Sequence, residues 1–213
     1  MVGLSDLSRW PKEWANAPAH SYPRGSILFR ENAEVRVIHF LVAGVVKLVA
    51  LNGCRDLLVD VRTPPCLLGA TTAITGRQHG TTAIAMTDCE TRLVLLYEFH
   101  RLAQLDSMTM HALISLLAGE VIAAHERLVS IGGGDSEARL ACLFRELFRA
   151  AGRVCPDGAT RLDLDLSVTE VADLVSVSRQ WASQRLSHWS RRALLIRDRG
   201  WFVAPKGSAL LCR

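Results

Sequence analysis

The 213-residue sequence predicts an α+β protein with antiparallel strands first, one long helix next, and a helical pair closed by a strand hairpin last. Three observations carry this reading. Short apolar runs separated by turn residues fill the chain from Ser21 to about Leu96. Apolar residues then recur every seven positions from Ser107 to Ile131. From Ser176 onward, eight basic residues face the single acid Asp198, so this tail carries +7 while the preceding 175 residues carry −3.

Residues 1–20, punctuated by Trp and Pro, predict a short helix and a lead-in. The strand region contains turn signals at Pro23-Arg24-Gly25, Glu31-Asn32-Ala33, Ala43-Gly44, Pro64-Pro65 and Thr75-Gly76. Asn52-Gly53, between Val45–Val49 and Leu57–Val61, predicts a type I′ hairpin, because both residues tolerate positive φ. Many short strands at this spacing suggest a compact barrel or roll.

The pattern turns helical near Glu98. Ile114, Val121 and Leu128 form one seven-residue series, and Met110, Leu117, Ala124 and Ile131 another. A seam of this period, held for about three and a half heptads, predicts a helix that pairs with its twin through Met110, Ile114, Leu117, Val121, Ala124 and Leu128. The competing reading is a helix packed on its own barrel. Gly132-Gly133-Gly134 is expected to break the helix and act as a hinge. Asp135 then caps a helix from Ala138 to Ala150, Gly152–Gly158 closes it, and Arg161–Leu166 alternates as a strand. The expected divisions are a sensor domain over 1–105, a dimerisation helix and hinge over 106–134, and a final domain over 135–213.

Within that final domain, Ser167 or Thr169 can cap a short helix carrying Val171, Ala172, Leu174 and Val175 on one face. Ser176-Val177-Ser178 makes a turn, and a second helix runs from about Arg179 to Arg191 with Ala182, Leu186 and Trp189 inward. Ser178, Arg179, Gln180, Ser183 and Gln184 are left at its exposed start, where side chains of such a pair meet base edges. Leu194–Arg197 and Trp201–Val203, joined by Asp198-Arg199-Gly200, form a basic wing. Arg185, Arg197 and Arg199 are positioned to meet phosphates. A generic helical pair explains the periodicity, but not the polar helix start, the basic wing and the +7 tail together. The expected partner is double-stranded DNA.

The segment Thr169-Glu-Val-Ala-Asp-Leu-Val-Ser-Val-Ser-Arg-Gln-Trp-Ala-Ser-Gln-Arg-Leu186 resembles the helix-turn-helix signature of the Crp/Fnr family of bacterial transcription regulators. Arg24–Asn32 and Phe40–Leu48 resemble that family's first two hairpins, and Ser136–Ala141 the start of the helix after its dimer helix. The resemblance implies an N-terminal cyclic-nucleotide-binding-like β-roll, a long dimerisation helix and a C-terminal winged helix-turn-helix. It also implies a homodimer on an inverted-repeat operator, with RNA polymerase as a partner if the protein activates transcription. Where the family presents Glu and Arg to bases, Gln180 and Gln184 stand; Gln pairs with adenine, so a different operator is expected. Ser176 stands where the family's inter-helix turn has Gly, and Trp181 replaces a small polar residue.

The effector cassette also departs. The family's ribose-binding Glu and phosphate-binding Arg-Ser fall on Ala70, Gly80 and Thr81, which argues against cyclic AMP in the usual mode. The expected pocket is Gly69, Ala70, Thr71, Thr72, Arg77, Thr81 and Thr82, with Arg77 the available substitute base. An N-terminal cysteine cluster for an iron–sulfur centre is missing, since the first cysteine is Cys54. Haem stays open, with Cys66, His79, His111 and His125 as candidate ligands, and no metal site is assigned.

Six scattered cysteines and no signal segment fit reduced thiols and a cytoplasmic location. Val37–Leu51 reads as the most apolar stretch and is too short to span a bilayer, so no membrane association is expected. GxSxG, P-loop, Rossmann and HExxH patterns are absent, which argues against an enzyme. The alternative reading is an effector-, haem- or redox-sensing roll with a decayed helix-turn-helix.

Overall fold

The computed structural model describes residues 14, 16–105, 107–133 and 135–211. Cys212, Arg213, Gly134 and most of the expected N-terminal helix therefore lie outside the described residues. The chain forms two compact units, residues 1–127 and 128–213.

The first unit holds two four-stranded antiparallel sheets. One has the order β1 (Ala19–Tyr22), β8 (Cys89–Leu95), β3 (Val37–Ala43), β6 (Cys66–Leu68); the other runs β2 (Ile27–Phe29), β7 (Thr82–Ala85), β4 (Val46–Asn52), β5 (Arg55–Arg62). Strand β3 is buried on both faces. Ile38 and Phe40 join Trp14, Val94 and Phe99 in one cluster, while Leu41 joins Val46, Leu68, Ala83 and Ala85 in another. Alternate side chains point to opposite faces of a strand, so one short segment serves both cores.

Two helices, α1 (Ala70–Thr75) and α2 (Leu96–Leu105), lie in this unit, and α3 (Ser107–Gly133) starts in it and runs past residue 127. The first was not expected, because its six residues hold too little periodicity to distinguish it from a loop; Gly69 and Gly76, both left-handed, bound it. The Asn52-Gly53 hairpin also differs by one residue. Asn52 pairs with Arg55, so Gly53-Cys54 is the two-residue loop, and Gly53 alone takes positive φ. That is the type II′ pattern, in which Gly at the first central position meets the whole conformational demand.

Helix α3 buries Thr109, Ala112, Leu113 and Leu116, a helical stripe that contributes to the cluster around Phe99. Its other face leaves Met110, Ile114, Val121 and Leu128 open, Val121 at 54% and Leu128 at 65%. Both faces are apolar, and by length and composition this helix could cross a membrane. Glu120 nevertheless lies on it in an ion pair with β5. Gly132 and Gly133 continue the helix instead of breaking it, since glycine lowers helix propensity without forbidding the conformation.

The second unit packs α4 (Ser136–Ala151), α5 (Val168–Val175) and α6 (Arg179–Arg191) with the sheet β11 (Ile196–Asp198), β12 (Trp201–Ala204), β10 (Thr160–Leu162), β9 (Gly152–Val154). Asp135 caps α4, accepting from the Glu137 amide. Phe144 is completely buried, with the rings of Phe148, Trp189 and Phe202 at 6.4, 6.2 and 4.9 Å. Two strand boundaries depart from expectation. Gly152–Val154 is a strand rather than part of a loop, and the 161–166 strand shortens to Thr160–Leu162. Leu162, Leu164 and Leu166 are still all fully buried, so the alternation marks the core even where no ladder forms.

Candidate nucleic-acid interface and the cavity of the β-roll

The helix-turn-helix is built by local hydrogen bonds. Ser167 and Glu170 close a capping box at the start of α5, each side chain accepting from the other residue's amide. At the other end Ser176 is left-handed (φ 54°, ψ 52°), and its amide donates to Ala172 and Asp173. A left-handed residue reverses the chain within one step, which is why the family-like position usually held by Gly must adopt it here with a side chain. Ser178 then caps α6, its hydroxyl oxygen accepting from the Trp181 amide at 3.1 Å.

Ala182 and Trp189 face the core, as the spacing predicts. Arg179, Gln180, Ser183 and Gln184 are exposed and line one shallow trough with Ser187 and Arg191. The last two were not singled out from sequence, although continuing the helical period from Gln180 and Ser183 would have found them.

The wing is a two-residue hairpin: Asp198 pairs with Trp201, and Arg199 (φ 48°) and Gly200 (φ 91°) form its tip. Two positive φ values match the strand twist of a tight hairpin. The three arginines expected at phosphates are in different states. Arg199 is exposed at the tip. Arg197 is exposed too, but donates to the carbonyls of Gly200 and Leu166 at 3.3 Å and lies over the Phe202 ring at 5.0 Å. Arg185 is turned toward α4, ion-paired with Glu137 at 3.2 Å and stacked over Trp181 at 5.5 Å. Sequence alone could not reveal this pair, because its members are far apart in the chain.

The β-roll contains a cavity of about 110 Å³. Of the seven pocket residues expected from sequence, Gly69, Thr71, Thr72 and Thr81 line it. Ala70 is buried away from it, Arg77 is exposed and outside the lining, and Thr82 accepts from the Glu31 amide instead. Arg62 and Glu120, which the cassette alignment could not supply, do line it, as do Phe29 and His79.

Arg62 therefore provides the cation that the cassette lacks. It is ion-paired with Asp60 and with Glu120, both at 2.9 Å, and Thr71 donates its hydroxyl to the other Glu120 oxygen at 3.0 Å. Burial works against the guanidinium charge, but Asp60 and then Glu120 outweigh it and hold the Arg62 pKa above the ordinary value. The Arg62 charge is thus already matched by Asp60 and Glu120.

The candidate haem ligands do not converge. Burial pushes the Cys66 thiol up to about 12, which disfavours the thiolate a metal needs. His79 is stacked on Phe29 at 3.8 Å, and burial lowers its pKa. His111 and His125 are exposed on α3. Among the described residues no group of three His, Cys, Asp or Glu side chains is placed to hold a metal ion.

A two-sheet β-roll with a cassette helix, followed by a long helix and a winged helix-turn-helix, is the architecture of Crp/Fnr regulators. Residues 19–106 match the cyclic nucleotide-binding domain family. The nitrogen fixation regulation protein FixK of Azorhizobium caulinodans is 24% identical over 188 residues, covering 84% of this chain and 75% of FixK. FixK2 from Bradyrhizobium japonicum superposes with a TM-score of 0.71 at 21% identity, covering 91% of this chain and 95% of FixK2. A CRP-family transcriptional regulator from Thermus thermophilus, TTHB099, gives 0.74 at 20% identity, with coverage of 90% and 94%. The chain thus carries a match to the cyclic nucleotide-binding domain over residues 19–106 and shares the fold of the Crp/Fnr regulators it resembles.

Proposed function

We propose that the protein is a DNA-binding transcription regulator acting in the cytoplasm. The observation that carries this reading is the exposed start of α6, where Arg179, Gln180, Ser183 and Gln184 share one trough with Ser187 and Arg191. Amide side chains that project together from a helix start suit the adenine edge in the major groove. Arg199 at the wing tip, with Arg197 beside it, supplies cations for the adjacent phosphate backbone. Ser178 fixes the helix start and keeps its hydroxyl proton available to a phosphate.

The seam of α3, exposed at Met110, Ile114, Val121, Ala124 and Leu128 and half-buried at Leu117, is the surface for a second copy of the chain. A two-fold dimer presents two recognition helices and selects an inverted repeat. Cyclic AMP is not the effector in this reading. The Arg62 guanidinium is already shared by Asp60 and Glu120, and a cavity of about 110 Å³ is well below the roughly 300–1,000 Å³ typical of ligand pockets.

Selection from a random duplex library with the purified full-length chain tests the assignment. An inverted repeat is the expected product. Gln180→Ala and Gln184→Ala should each relax the preference at one position of the half-site, at a cost of about 1–3 kcal/mol. Arg199→Ala should instead weaken all sequences and lower the salt slope by about one. Failure to select any duplex overturns the reading. Calorimetry with cyclic AMP that returns micromolar binding overturns the effector part alone.

A further inference from the structure

The Arg185 side chain departs most from what a DNA contact requires, and its surroundings assign it another task. Glu137, in the first turn of α4, uses both carboxylate oxygens on α6. Its Oε1 accepts from the Trp189 indole Nε1 at 2.8 Å, and its Oε2 meets Arg185 at 3.2 Å. Trp189 is 3% exposed and sits edge-on to Phe144, so the anchor point is rigid. Arg185 and Trp189 are one helical turn apart and therefore share a face. That face lies about 100° or more around α6 from Gln184 and Gln180. The Arg185 guanidinium also covers the Trp181 ring. Two residues further along α4, Arg139 donates to the Val175 carbonyl at 3.1 Å, at the end of α5. One turn of α4 thus grips both helices of the helix-turn-helix.

We propose that Glu137 and Arg185 are positioning residues that determine sequence specificity by fixing the rotation of α6 about its own axis, and that Arg185 does not contact phosphate. The proposal rests on the DNA-binding reading. A bidentate acceptor anchored on a buried indole defines one rotation of the helix; without it, α6 can turn about the Ala182–Trp189 line. Such a turn changes which base edges Gln180 and Gln184 meet while leaving the number of cations near the backbone unchanged.

The test uses the full-length protein on the duplex that the wild type selects and on an unrelated duplex, with affinity measured against salt concentration. Arg185→Ala and Glu137→Gln are expected to weaken the selected duplex by about three- to fivefold, to broaden the base preference and to leave the salt slope unchanged. The double variant should be no worse than the weaker single variant, because both break one clamp. Arg185→Met keeps a long side chain but neither the ion pair nor the guanidinium over Trp181 and is expected to behave like Arg185→Ala. The proposal is overturned if Arg185→Ala lowers the salt slope by about one on both duplexes, since that marks a lost phosphate contact. It is equally overturned if base preference is unchanged, if the single effects add, or if Arg185→Met restores the wild-type preference. A wild type that binds no duplex defeats the DNA-binding reading itself, whereas a binding wild type with any of these variant results defeats only the clamp.

Discussion

Acidification should destabilise the β-roll through His39. This residue is 2% exposed in β3, with the rings of Tyr22 and Phe29 each 5.8 Å away, and its Nδ1 has no hydrogen-bond partner among the described residues. Burial first, then repulsion from His79 and His20, lowers its pKa from 6.5 to about 4. Above pH 6.5 the ring is neutral in both the folded and the unfolded chain, so it contributes no pH dependence. As pH falls through 6.5 the unfolded chain binds a proton that the fold refuses, and stability declines until about pH 4, where the folded ring also protonates. A proton bound at 6.5 when unfolded and at about 4 when folded corresponds to about 3 kcal/mol lost between pH 7 and pH 4. The burial-lowered pKa of His79 adds to the loss in the same direction. Hydrogen exchange of peptides covering β3 and β8, corrected for the intrinsic pH dependence of exchange, reads this unit separately from the other. His39→Leu keeps a similar volume and removes the titrating ring, so its stability should fall by about 3 kcal/mol less over the same range. Equal acid losses in wild type and variant would refute the argument, whatever the carboxylates contribute to both.

Three further outcomes are expected. Phe144→Ala should lower the stability of the C-terminal unit by about 3–5 kcal/mol in denaturant titrations, because the ring is completely buried among Phe148, Trp189 and Phe202. Ser176→Gly should raise that unit's stability by up to about 1 kcal/mol, since the serine is held at φ 54° where glycine has no Cβ penalty. Val121→Asp places a charge in the open α3 seam, and sedimentation should show the dimer lost; an unchanged dimer removes the seam from the interface.

The sequence by itself determined the features whose causes lie within a few residues of their effects. Asp135 caps the helix it precedes, Ala182 and Trp189 recur at helical spacing, and Asp198-Arg199-Gly200 turns one strand into the next. In each case a hydrogen bond or a side-chain period spans at most about two helical turns, so the residue types alone fix the geometry. The candidate reading face was legible for the same reason, since Gln180 and Gln184 are one turn apart on a helix whose inward face is plain. Only the tertiary structure decided where the charges end up. Arg62 meets Glu120 across 58 positions and Glu137 meets Trp189 across 52. No propensity or period links such residues; they become neighbours because separate apolar faces are buried together. Two arginines identical in composition therefore differ in kind: Arg199 is exposed at a hairpin tip, while Arg185, carried on the side of α6 that packs toward α4, is neutralised by the carboxylate it finds there.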